Sequence, residues 1–177
     1  MAGTPTEARW SLLHNGSMAI VSLAMIGVGI GHVLDDPAGA PAPSLANPRF
    51  VLLILLALAL LYYVFLGLSR VFSRRPQIAV DGDGIWIGFG RDRRLTWDDI
   101  VVVRLRRLAL RPALEVTLTD QAFSAANLRL VMWSLDDNLR PVRGQPSSVL
   151  IRDNGLDTGA AALLDAIRTF RPNLAPL

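Results

Sequence analysis

Two long stretches without Asp, Glu or Arg dominate the first part of the chain. One lies between Arg9 and Asp35, with Met18–Val33 its most continuously apolar part, and the other is Phe50–Ser69. Each is about 20–25 residues, enough to cross the ~30 Å hydrocarbon layer as a helix rising about 1.5 Å per residue. Val51–Leu68 is apolar on every side, whereas the core helix of a soluble protein keeps a polar outer face. Two membrane-spanning helices are therefore expected, over about 14–34 and 50–69, within an anchor of residues 1–75. The first has a competing reading as a signal peptide, because Ala38-Gly39-Ala40 and Ala40-Pro41-Ala42 imitate a small-x-small cleavage site. Against it, Arg9 beside Glu7 makes a poor basic leader, and Asp35-Asp36 lie between the apolar core and the cut.

Polar positions set the expected orientation. Arg70, Arg74 and Arg75 crowd the end of the second apolar stretch, while Asp35–Arg49 carries two Asp and one Arg. The positive-inside rule then places both termini in the cytoplasm and the Pro- and Ala-rich loop outside. Trp10 at one end and Tyr62 and Tyr63 in the second span are candidate interfacial anchors. Gly27 and Gly31 form a Gly-x-x-x-Gly pair, a spacing that lets a neighbouring helix approach closely. The neighbour is either the second helix of the same chain or a partner.

From Pro76 the period changes from helical to alternating. Gln77–Val80 and Ile85–Phe89 are short β-type runs around Asp81-Gly82-Asp83-Gly84, a strong hairpin signal. Arg93–Trp97 reads as the next strand. In Ile100–Leu110 the pattern puts Val101, Val103 and Leu105 on one face and Arg104 and Arg106 on the other. Leu114, Val116 and Leu118 alternate with Glu115, Thr117 and Thr119, as in a half-buried strand. Ala122–Trp133 is ambiguous, a short helix followed by a strand being one reading, while Asp136–Gln145 reads as a loop and Ser147–Arg152 as a last strand. Asp157 or Thr158 caps a final helix to about Phe170, with Ala160, Leu163, Leu164, Ile167 and Phe170 as its apolar stripe. The fold class expected is thus a membrane α-helical hairpin plus an α+β domain over 76–177, an antiparallel sheet covered by a C-terminal helix.

The order Pro76-x-Ile78-x-Val80, Gly84-Ile85, Leu95-x-Trp97-Asp98-Asp99-Ile100, an apolar strand and a closing helix resembles the bacterial pleckstrin-homology-like (PH-like) proteins. More narrowly, it resembles small membrane proteins in which two N-terminal transmembrane helices precede such a domain. The resemblance implies a seven-stranded, strongly bent sheet capped by the helix, structural roles for Trp97 and Ile100, and a bacterial inner-membrane location. Phosphoinositide-binding relatives use basic residues at the first hairpin, where this chain has acidic Asp81-Gly82-Asp83-Gly84, so that site does not carry over.

Composition narrows the chemistry. The 177 residues include no cysteine, and all 18 basic residues are arginine. Cysteine nucleophiles, thiolate metal sites and Schiff-base lysines are thereby excluded. The two histidines, His14 and His32, are 18 positions apart, roughly 27 Å along one helix, so they cannot share a haem iron within a chain. Residues 76–177 hold no histidine, the usual general base near neutral pH. The adjacent pairs Asp98-Asp99 and Asp136-Asp137 suit turns and caps, since neighbours in a strand point to opposite faces. No enzymatic activity, no cofactor, no metal and no nucleic-acid partner is expected. From Ser69 onward 16 Arg stand against 12 acids, and Arg70, Arg74, Arg75, Arg91, Arg93 and Arg94 are candidate contacts for anionic lipid headgroups. Two functions follow as expectations. The first is a non-catalytic, membrane-anchored accessory module that meets a membrane-protein partner or another copy through its helices. The alternative is an anionic-lipid-binding or lipid-sensing module at the cytoplasmic face.

Overall fold

The computed structural model describes residues 4–34, 45–89, 92–108, 111–128 and 138–175. The chain divides into two compact units, Ser11–Ser73 and a second made of Met1–Trp10 together with Arg74–Leu177. The first ten residues thus belong with the second unit, whereas the sequence pattern groups them with the anchor.

The Ser11–Ser73 unit is a pair of helices, α1 (Leu12–Leu34) and α2 (Pro48–Phe72). Both are long and apolar enough to cross a membrane. Asn47 caps α2, its side-chain oxygen accepting the Arg49 N–H at 3.0 Å, and Pro48 fits the first helical position because it needs no N–H partner there. Large apolar side chains stand out all round: Val28 is 75% exposed, Leu52 65% and Phe65 72%. That much uncovered hydrocarbon suits lipid and not water. The helices touch at Gly67, the one buried residue of α2 among those described. An added Cβ there would lie 2.6 Å from the Asn15 carbonyl oxygen and 2.9 Å from the Ala19 Cβ. Asn15, Ala19 and Ser22 are the buried residues of α1, so one narrow stripe makes the contact.

The second unit holds two four-stranded antiparallel sheets. The first has the order β1 (Thr6–Ala8), β2 (Ile78–Asp81), β3 (Gly84–Ile87), β4 (Arg93–Thr96). The second contains β5 (Ile100–Leu108), β6 (Arg111–Leu118), β7 (Leu139–Val142) and β8 (Gln145–Arg152), in the order β5-β6-β8-β7. Between β6 and β7 lies α3 (Asp120–Ala126), and α4 (Ala160–Phe170) follows β8, with a 3-10 turn at Pro172–Leu174 after it. Ile78, Val80, Ile85, Ile87, Leu114 and Val116 from the two sheets and Leu163 and Ile167 from α4 share one core, all fully or almost fully buried. Trp97, in a 3-10 turn between β4 and β5, is buried in the same core and stacks on Phe170 with ring centroids 6.4 Å apart.

Several expectations are corrected. Eight strands are present among the described residues, against the seven implied by resemblance. The eighth, β1, is three residues long and shows no alternation in sequence. The stretch 136–145 contains β7, whose Pro141 is tolerated because β7 is an edge strand. In β5 a bulge between Ile100 and Val102 breaks the alternation, so Val101 is 55% exposed beside buried Ile100 and Val103. Leu105 also stays 39% exposed. In β6 the outward Glu115 is buried as well, since Ala113, Val142 and Leu150 form a small cluster on that second face. Of the ambiguous 122–133 stretch, the first part is α3, capped by the Thr119 hydroxyl, and 129–133 lies outside the described residues. Gly159, not Asp157 or Thr158, is the cap of α4, and the Asp153 carboxylate accepts the Ala160 N–H at 3.2 Å.

Candidate functional site

The candidate partner surface is a face of α1. At 100° per residue, Asn15, Ala19, Ser22, Ile26 and Gly29 fall within one ~80° sector. Gly27 and Gly31 lie roughly opposite Gly29, turned away from the stripe that meets α2. An added Cβ at either glycine meets no described atom within 4 Å. Close packing inside the hairpin is therefore supplied by Gly67 against Asn15 and Ala19, and not by the Gly27/Gly31 pair. No sequence spacing singled out Gly67, because a lone glycine in an apolar run has no partner glycine to mark it. Beyond that contact an apolar cleft of about 400 Å³ is lined by Met25, Ile26 and Gly29 of α1 and Phe50, Ile54 and Ala57 of α2.

The six arginines separate into different roles. Arg94 grips the hairpin turn: its two terminal nitrogens donate to the two Asp81 carboxylate oxygens, each at 2.9 Å, and one of them also reaches Asp83 at 3.2 Å. Asp81 Oδ1 accepts the N–H groups of Asp83 and Gly84 as well, at 2.9 and 3.2 Å. Partial burial pushes the Asp81 carboxyl upward, but these backbone donors and the Arg94 guanidinium outweigh it and hold its pKa below the usual aspartate value. The acidic turn thus carries its own counterion. Arg93 donates through Nε to the Ala126 carbonyl at 2.7 Å and ties β4 to the end of α3. Arg70, half-buried near the end of α2, is also engaged within the chain. Arg74 and Arg75 are exposed and their side chains make no hydrogen bond or ion pair among the described residues. Arg91 lies outside the described residues.

No cluster of His, Asp and Glu suited to a metal ion occurs among the described residues. Asp99 is a capping group, accepting the Thr96 hydroxyl at 2.7 Å and the Thr96 N–H at 3.3 Å, while Asp98 is exposed. Asp136-Asp137 lies outside the described residues. A polar groove of about 420 Å³ runs between β4 and α3 past Arg93, Arg94, Asp99 and Gln121, but both arginines on it are engaged as above. Trp10 bridges to Leu156 and its ring lies 5.8 Å from that of Phe89, inside the second unit. Comparison with family models, with curated proteins and with solved structures finds no match to this chain.

Proposed function

We propose that this chain is a non-catalytic interaction module, anchored by α1 and α2 in a bacterial inner membrane, whose PH-like domain serves a larger membrane complex. The observation that carries it is the orientation of Gly27 and Gly31: a close-approach face on α1 that the chain's own second helix leaves open. In lipid, helices gain little from hydrophobicity when they associate, so a flat small-residue surface is where a partner helix packs best. Two features support cytoplasmic termini. Arginines cluster after α2, and pairing of β1 with β2 requires residues 6–8 and the C-terminal domain to share one side of the membrane. Two antiparallel sheets closed by α4 support the PH-like reading of the domain.

The test is purification of the full-length protein from its native membrane in mild detergent, followed by mass spectrometry and native mass. A stoichiometric membrane protein or a second copy is expected, and Gly27→Leu with Gly31→Leu should release it. A lone monomer, unchanged by those substitutions, would count against the module.

Lipid binding is the second reading, favoured by exposed and unengaged Arg74 and Arg75. It predicts binding to anionic vesicles beyond that to neutral ones, lost at high salt. Equal recovery with both vesicle types would set it aside.

A further inference from the structure

The cleft within the helix pair has a measurable depth and a charged end. The helices run antiparallel: Gly67, late in α2, packs on Asn15 and Ala19, early in α1, while the cleft joins the later part of α1 to the earlier part of α2. Along α2 its lining runs from Phe50 to Leu61, and every residue that lines it is apolar. At 1.5 Å per residue that stretch covers about 16 Å, close to half the ~30 Å hydrocarbon layer. On α1, Gly29 leaves the cleft open, since an added Cβ there meets no described atom within 4 Å. The residue before Phe50 is Arg49, which is exposed and whose side chain makes no hydrogen bond or ion pair among the described residues. No acidic side chain lies on either helix.

We infer that the cleft is a site for one anionic phospholipid, with an acyl chain between α1 and α2 and the phosphate against Arg49. Depth fixes the kind of occupant: hydrocarbon that enters at the helix ends and stops about 16 Å down belongs to a single leaflet. A partner helix is too large to enter, because a cylinder ~10 Å across displaces roughly 1,300 Å³ over that length, whereas the cleft holds about 400 Å³. Water finds no polar partner on this lining. Arg49 then sets the charge. An arginine at the end of a span extends its head to the interface, where the guanidinium pairs a phosphate through two donors. A zwitterionic headgroup offers the same phosphate but adds a cation, which the arginine repels. The inference rests on the helix pair lying in a bilayer and on neither function proposed above. Its arginine stands at the start of α2, whereas Arg74 and Arg75 follow the end.

The test is native mass spectrometry of the full-length protein in mild detergent, titrated with dioleoylphosphatidylglycerol or dioleoylphosphatidylcholine. The first phosphatidylglycerol should bind about fivefold more tightly than the first phosphatidylcholine, the preference that one charge near a headgroup confers. Arg49→Gln should erase that preference, while Arg74→Ala with Arg75→Ala leaves it in place. Gly29→Leu fills the cleft and should weaken the first adduct of both lipids by about tenfold or more. Gly31→Leu adds the same bulk on the other side of α1 and should leave both adducts as they were. A preference that survives Arg49→Gln, or a first adduct untouched by Gly29→Leu, overturns the site. Loss of the preference in the variant lacking Arg74 and Arg75 also overturns it and moves the lipid to the other end of α2. A second copy of the chain released by Gly29→Leu, with lipid binding unchanged, gives the cleft to a protein partner and has the same effect. Asp35→Asn with Asp36→Asn removes the other charges between the two helices and should keep or raise the preference. A fall to the Arg49→Gln level would assign the arginine to those carboxylates and overturn the site. Failure of the membrane reading shows separately, as full-length protein that stays soluble without detergent.

Discussion

Gly82 and Gly84 occupy the same Asp-Gly-Asp-Gly turn, and alanine should be tolerated at the first and not at the second. Gly84 has φ +151°, a region open to glycine and strained for any L side chain by about 1–3 kcal/mol. Its added Cβ would lie 2.0 Å from the Leu95 carbonyl oxygen and 2.9 Å from the Leu95 carbonyl carbon, both backbone atoms of β4. Relief requires opening the β3–β4 pair by more than about 1 Å, since carbon meets a carbonyl oxygen at ~3.3 Å. Each ladder hydrogen bond lost removes a further ~1 kcal/mol. Gly84→Ala should therefore destabilise by roughly 3–5 kcal/mol, a large part of the 5–15 kcal/mol typical of a domain. At about 4 °C or more per kcal/mol, Tm falls by at least ~12 °C. At Gly82 an added Cβ meets no described atom within 4 Å and φ is not positive, so Gly82→Ala should stay within ~0.5 kcal/mol of the wild type. Thermal unfolding of the full-length protein in detergent, followed by tryptophan emission, measures both. Trp97 is a direct reporter, because its indole N–H donates to the Gly82 carbonyl at 2.9 Å. A Gly84 variant as stable as wild type, or a Gly82 variant equally damaged, would refute the reasoning.

Because Asp81 has a depressed carboxyl pKa, its contribution is complete above the ordinary aspartate value of 3.8 and is lost as pH falls through the lower folded value. Acid unfolding should thus steepen below pH 3.8 in the wild type, and Asp81→Asn should be less stable at neutral pH yet show a shallower acid limb. Ile167 is fully buried where α4 meets the sheets, so Ile167→Ala should lower stability by about 2–5 kcal/mol in the same thermal assay. Vesicle flotation separates the arginines: Arg74→Ala with Arg75→Ala should reduce recovery with anionic vesicles, at about 1 kcal/mol per charge near the surface. Arg94→Ala should act on stability through Asp81 and Asp83, leaving vesicle recovery unchanged; the opposite ranking would move the lipid contact to the hairpin.

Most of the secondary structure was legible because it rests on local periodicity. The two apolar runs became α1 and α2 with ends displaced by only a few residues, since continuous apolar sequence is not compatible with much else. Strands β2, β3, β4, β6 and β8 followed their alternation and their Gly-rich turns, and Ala160, Leu163, Leu164 and Ile167 of the α4 stripe are buried, with Phe170 partly so. What stayed illegible was non-local. Thr6–Ala8 is a strand only because the β2 edge and Asp157 hold it. Asp157 reads as a helix cap in sequence but faces Arg9 across 148 positions. Pro141 disguised β7, and the bulge at Val101 moved a valine to the surface that strict alternation would bury.

Sequence by itself determined the partition of this protein into apolar helices and an alternating, arginine-rich remainder, and it excluded every chemistry that needs cysteine or lysine. Those are properties of composition and of short-range period, which no later folding event can alter. The tertiary structure alone decided which glycine the helices pack on, because Gly27, Gly31 and Gly67 differ only in what faces them. It also decided that Arg93 and Arg94 are spent on Ala126 and the acidic turn while Arg74 and Arg75 stay free, since a guanidinium's partner is set by distance in space. And it joined the first strand to the one that follows both helices, a pairing across some seventy residues that no window of sequence contains.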